Sequence, residues 1–177
     1  MEDLAVMRPK FRVLFLCTRN SDRSIFAEYF LRSMGGHRFE SYSGGEAPKG
    51  EVHPLTLKVL RENFKIDAAG AVSKSWHEFS DIHFDFVVSV SDDAVERSPV
   101  FPGTPVTAHW SIPDPMAFEG SAEENYQRFL QAAFQVKRRV ELLNCLPIEK
   151  LDHLQREVQT RQIQEDAQHE HDKQEPH

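Results

Sequence analysis

The chain has 177 residues, a formal net charge of −7, and 40% hydrophobic and 28% charged residues. That length suits a single core, and the acidic balance argues against a general nucleic-acid binder, which needs a basic face. No apolar run approaches the roughly 20 residues that span a bilayer. Met1 to Lys10 lacks a signal-peptide core. The expected location is therefore cytoplasmic, with neither nucleic acid nor membrane as partner.

Phe11 to Leu16 is a short β-branched and aromatic run, the pattern of a strand buried on both faces. A polar stretch follows from Cys17 to Arg23. From Ser24 the pattern turns helical, with Ile25, Phe26, Tyr29, Phe30 and Met34 on one side and Gly35-Gly36 at the end. Strand, polar loop and helix start is the layout of an anion-binding turn. Phe39 to Ser43 reads as a second strand closed by Gly44-Gly45. Pro54 opens a helix with Leu55, Val59, Leu60 and Phe64 inward, and Ser75 to Glu78 has capping-box spacing.

Phe84 to Val90 and Pro105 to Trp110 are the third and fourth expected strands. A second capping box, Ser121 to Glu124, begins the longest helix, whose apolar stripe is Tyr126, Phe129, Leu130, Ala133, Phe134, Val140 and Leu143. After Pro147, the residues Ile148, Leu151, Leu154 and Val158 allow one more helix. Gln159 to His177 is polar and is expected to be frayed or disordered. Strands alternating with helices predict an α/β sandwich on a parallel sheet. The expected organisation is a domain over residues 1–150 and a polar C-terminal extension over 151–177, partly helical or disordered.

The two cysteines, Cys17 and Cys145, are too few for a disulfide framework or a cysteine-based zinc site. Cys145 lies in an apolar helix end, where a thiol is usually a small hydrophobe. Cys17 begins Cys17-Thr18-Arg19-Asn20-Ser21-Asp22-Arg23-Ser24. A loop of that length can turn successive N–H groups toward one point at a helix N-terminus, where partial positive charge gathers. Arg23 can hold two oxygens of a tetrahedral anion, and the same field is expected to favour a Cys17 thiolate. Ser24 is placed to donate to the sulfur, and Asn20 tolerates left-handed backbone geometry. Thr18, Arg19, Ser21 and Asp22 complete the expected oxyanion-binding loop.

A thiolate that attacks a phosphate monoester needs a proton donor for the leaving oxygen. Asp114, between Pro113 and Pro115 after the fourth expected strand, falls at the same sheet edge. Without Cys17 it would read as an ordinary turn aspartate. The histidines His169, His171 and His177 suit a solvated tail better than a metal site. His53 precedes Pro54 near the loop, and Trp76 and Trp110 read as core or rim anchors.

Cys17 to Ser24 with Asp114-Pro115 resembles the low-molecular-weight protein tyrosine phosphatase family. Val52-His53-Pro54, Ser73-Lys74-Ser75, His109-Trp110 and Leu146 to Leu151 are similar to segments of its arsenate-reductase branch. The resemblance spans roughly Phe11 to Leu151. It implies a three-layer sandwich with a four-stranded parallel sheet, a cysteinyl-phosphate or cysteinyl-arsenate intermediate, and neither metal nor cofactor. The chain also departs from that pattern. Arg19 stands where the family often has Gly, and Asp22 where it often has a second Cys. Ser91 and Ser98 stand where relay cysteines would, and Met116-Ala117-Phe118 where the phosphatases place aromatic residues.

The first expectation is a phosphomonoester hydrolase with Cys17 as nucleophile, Arg23 as clamp and Asp114 as general acid. The alternative is an arsenate reductase that uses Cys17 alone with an external thiol, of the glutathione/glutaredoxin or mycothiol type. A third reading is a catalytically weak phosphate-binding module. The expected partners are a phosphate monoester or arsenate, with a phosphoprotein or glutaredoxin as protein partner.

Overall fold

The computed structural model describes residues 9–174, apart from the side chains of residues 95 and 96. The expectations for the extreme N-terminus and for His177 lie outside the described residues. Four strands, β1 (Phe11–Cys17), β2 (Phe39–Gly45), β3 (Phe86–Ser89) and β4 (Val106–His109), form one sheet of order β2-β1-β3-β4. All pairings are parallel. The helices are α1 (Arg23–Gly35), α2 (Pro54–Phe64), α3 (Asp92–Arg97), α4 (Ala122–Asn144) and α5 (His153–Gln174).

Strand period decides which side of the sheet each β1 residue serves. Val13, Phe15 and Cys17 belong to the larger core, with α1 residues Ile25, Phe26 and Phe30 and α4 residues Phe129, Ala133 and Val140. Leu14 and Leu16 face the smaller core, with Trp76, Phe79, Phe84, Val87, Ala94 and Phe101. The two cores make the three-layer sandwich, and both β1 faces are buried, as the apolar run predicts. Cys17 thus emerges from the carboxyl end of a central strand on the side carrying α1.

Both capping boxes place their helix starts: Ser75 and Glu78 cap reciprocally, and the Ser121 hydroxyl accepts the Glu124 N–H. Beyond the fourth strand two expectations are corrected. Phe134, expected inward, is exposed, and its ring meets Phe64 edge-on at the surface. The stripe on α4 instead runs through Ala132, Val136 and Arg139. The polar stretch from Gln159 is not frayed: α5 continues to Gln174 and buries Thr160, Ile163 and Ala167. Leu154 and Val158, which suggested that helix, do lie in α5 but are exposed. The Trp110 indole N–H donates to the Thr160 carbonyl at 3.2 Å, which ties α5 to the segment leading to Asp114. No described helix is long and apolar enough to cross a membrane.

Candidate active site

The anion loop joins β1 to α1, and its backbone is held from three sides. Asn20 takes the left-handed conformation, φ +50°, which asparagine tolerates better than most residues. Gly45 of β2 passes so close that a Cβ there would lie 2.8 Å from the Asn20 nitrogen and 2.9 Å from the Thr18 oxygen. From α2, the His53 N–H donates to the Ser21 carbonyl at 3.0 Å and the Thr56 hydroxyl to the same oxygen at 2.8 Å.

A chain of hydrogen bonds leads inward to the sulfur. Lys74 N–H donates to Asn20 Oδ1 at 2.7 Å, which fixes the amide orientation because a backbone N–H can only donate. Asn20 Nδ2 then donates to Ser24 Oγ at 2.8 Å and to Ser43 Oγ at 2.9 Å. Ser24 accepts from Asn20, so its own proton is free to point at Cys17 Sγ, 2.8 Å away. The Asn20 N–H also donates to that sulfur at 3.2 Å. Ser43 passes its proton to Glu28 Oε1 at 2.5 Å, and Lys74 Nζ stands 3.6 Å from the same carboxylate.

Ser43, Glu28 and Lys74 are the members sequence reading missed. The one available signal was Glu28, an acidic residue one turn after Ser24 in an otherwise apolar helix stripe. Its partner Ser43 comes from another strand.

Arg23 is buried, and its fork is already engaged. Nη1 donates to the Ile112 carbonyl at 3.1 Å, Nε lies 3.3 Å from Asp22 Oδ1, and Nη2 is 4.0 Å from Asp114 Oδ2. Asp22 caps α1, accepting the Arg23 N–H on Oδ1. The loop therefore carries a carboxylate at the helix terminus where an anion is favoured. Arg19 neither turns to solvent nor waits for substrate: its Nη2 is 2.6 Å from Asp114 Oδ2. Asp114 Oδ1 accepts the Met116 N–H at 2.9 Å. The structure thus brings Cys17, Arg19, Asp22, Arg23, Ser24 and Asp114 together. Thr18 reaches Ser91, Oγ to Oγ, at 3.4 Å, while Ser21 contributes its carbonyl to the α2 contacts.

The electrostatic expectation for Cys17 is corrected. Burial pushes the thiol up, and the negative charge of Asp22 adds to that. The Ser24 hydrogen bond and the Arg23 charge pull it down without prevailing. The favourable field expected from sequence is outweighed by burial first and by the Asp22 charge second. His53 accepts the Leu55 N–H on Nδ1 at 3.1 Å and its ring lies against Phe129. Burial pushes it down, with Asp22 opposing and Arg19 adding. His109 bridges Ser89 and Asp92 at 2.9 and 2.8 Å. Among the described residues there is no group of three His, Cys, Asp or Glu able to hold a metal ion.

A cleft of about 230 Å³, lined by Ser21, Lys49, Val52, His53, Pro54 and Met116, opens beside the loop. Cys17 itself is only 1% exposed. The arrangement can bind a tetrahedral oxyanion against Arg23, attack it with sulfur, and exchange a proton through Asp114 once the side-chain pairs yield.

Comparison with known proteins agrees with this fold. Residues 12–160 match the family model described as low molecular weight phosphotyrosine protein phosphatase. An arsenate reductase of Shouchella clausii is 32% identical over 128 residues, 72% of this chain and 91% of that protein. A glutaredoxin arsenate reductase of Synechocystis sp. is 30% identical over 132 residues, 75% of this chain and 95% of that protein. Among solved structures, an arsenate reductase in the phosphate-binding state superposes with a TM-score of 0.65 at 29% identity, covering 76% of this chain and 96% of that one.

Proposed function

The chain belongs to the low molecular weight phosphotyrosine protein phosphatase family, and from that premise we propose that it is an arsenate reductase with Cys17 as its sole reacting thiol. One observation carries the choice over the phosphatase expected first. Phe118, the aromatic residue nearest after Asp114-Pro115, stacks on the Arg128 guanidinium at 5.6 Å, 71% exposed, and so is turned to solvent contact instead of forming a buried aryl wall. A small inorganic oxyanion needs no such wall. The names of the relatives, arsenate reductases at 30–32% identity, support the same reading.

In the proposed reaction the Cys17 sulfur attacks arsenic(V), forming an S–As bond, and an arsenate oxygen leaves as water with the proton of Asp114. Arg23 balances charge on the remaining oxygens. Ser91 stands beside Thr18 at 3.4 Å where a relay thiol would be needed, and Cys145 is exposed at the end of α4. An external thiol such as glutathione therefore attacks the Cys17 sulfur. The S–As bond breaks with its electron pair going to arsenic, which leaves as arsenite, and a mixed disulfide remains on Cys17. A second external thiol, or glutaredoxin, restores Cys17. Two thiols are oxidised to one disulfide and arsenic gains two electrons.

The test is arsenate-dependent oxidation of glutathione with glutaredoxin by wild type, Cys17→Ser and Cys145→Ser, with hydrolysis of an aryl phosphate run in parallel. Turnover in wild type and Cys145→Ser but not Cys17→Ser is expected. Repeated Cys17-dependent hydrolysis of the aryl phosphate without arsenate-dependent oxidation would return the enzyme to phosphatase chemistry.

A further inference from the structure

The mechanism leaves one buried group unused. Asp22 is 2% exposed. Its Oδ1 takes the backbone and Nε hydrogens of Arg23, while Oδ2 is buried with no hydrogen-bond partner among the described residues. A buried carboxylate oxygen without a donor is costly, and such oxygens are normally satisfied. The carboxylate caps the 13-residue α1 and its charge bears on both Cys17 and His53, so it sits within the ring of groups around the nucleophile. Cationic side chains do not supply the missing donor: Arg19 is spent on Asp114 and Lys74 on Glu28.

We propose that Asp22 makes the loop selective for oxyanions that bring their own proton, its Oδ2 accepting the O–H of a hydrogen arsenate or hydrogen phosphate ion. The proposal rests on the oxyanion site described above and names its substrate class. Inorganic arsenate and phosphate keep at least one proton at neutral pH. An O–H···O⁻ bond to a carboxylate is among the stronger hydrogen bonds. Sulfate, of the same shape, has no proton to offer and meets the carboxylate as a like charge. A phosphate monoester, with a second pKa of about 6, is mostly a proton-free dianion at neutral pH and is disfavoured for the same reason. Arg19 and Arg23 face Asp22 and Asp114, so the four charges cancel.

The experiment is calorimetric binding of inorganic phosphate and of sulfate at pH 7 and matched ionic strength, to wild type and to Asp22→Asn. Wild type should bind phosphate at least about tenfold more tightly than sulfate, the scale of one hydrogen bond to a charged group. In Asp22→Asn, which keeps an oxygen for the Arg23 N–H, sulfate should gain about tenfold and the preference should collapse. Equal binding of the two ions by wild type overturns the proposal without any variant being needed. An unchanged ratio in folded Asp22→Asn overturns it too, as does binding of either ion only after the substitution, which would make Asp22 a plug. Neither ion binding any form would sink the oxyanion site itself. Phosphate selectivity without arsenate turnover would sink only the reductase reading.

Discussion

Arg19 Nη2 and Asp114 Oδ2 meet at 2.6 Å across the mouth of the loop, so the proposed general acid is held as the partner of an arginine two residues after Cys17. Both side chains are part-buried, where an ion pair outweighs the near-zero value of exposed pairs but falls short of a dry interior. An incoming oxyanion competes with Asp114 for Arg19 and Arg23. Replacing Asp114 by Asn should lower kcat by 10²-fold or more, the usual scale for a positioned acid. Inorganic phosphate should bind that variant at least as tightly as wild type, because both arginines lose a competing charge. Weaker phosphate binding, measured by calorimetry, would show that Asp114 organises the site instead of competing within it.

Alkylation offers a direct reading of the electrostatics at Cys17. Burial comes first among the causes that raise its pKa and Asp22 second, so removing the Asp22 charge should increase the thiolate fraction. Iodoacetamide labelling of the Cys17 peptide, followed by mass spectrometry to separate it from exposed Cys145, should be slow in wild type at neutral pH. It should be several-fold faster in Asp22→Asn. An equal rate would mean that burial alone sets reactivity.

The same shift makes a stability prediction. A thiol whose folded pKa lies above its unfolded value of about 8.5 binds its proton more tightly when folded. Its contribution is complete below that pH and erodes as pH rises toward the folded value. Denaturant titrations from pH 7 to 10 should therefore show wild type losing stability relative to Cys17→Ser as pH climbs past about 8.5. Parallel curves across that range would contradict the direction of the shift.

Ile163 tests how firmly α5 belongs to the fold. It is buried on the larger core, on a helix anchored at Thr160 by the Trp110 indole. Ile163→Ala should cost about 2–4 kcal/mol in urea unfolding, the range for a buried aliphatic truncated to alanine. A loss under 0.5 kcal/mol would mean that α5 adds little to the stability of the sheet it covers.

The strands and helices α1, α2 and α4 were legible because their signals are local, whereas the short α3 (Asp92–Arg97) was not read from the sequence. Strand β1 carries a continuous apolar run, α2 opens at Pro54, and Ser75 and Ser121 announce their helices by capping boxes. The start of α5 was legible but its extent was not, for a physical reason: it buries only Thr160, Ile163 and Ala167, two of them small or polar. So narrow a contact leaves almost no periodic signal. Phe134 misled in the opposite way, since an aromatic residue on the stripe was taken for core while its ring lies on the surface against Phe64.

The sequence by itself determined the layout of a cysteine-based oxyanion site: the spacing from Cys17 to Arg23 and Ser24, the strand before it and the helix after it. Those features follow from short-range rules of backbone geometry and charge. Only the tertiary structure decided how the charges are spent. Arg19 and Asp114 lie 95 residues apart in the chain, and Ser43 and Lys74 reach the Asn20 network from other segments. Whether Asp22 points to solvent or is sealed beside Arg23 depends on how the loop is packed by α2 and β2. Pairing energies are set by distance and burial, and neither quantity is written in the order of residues.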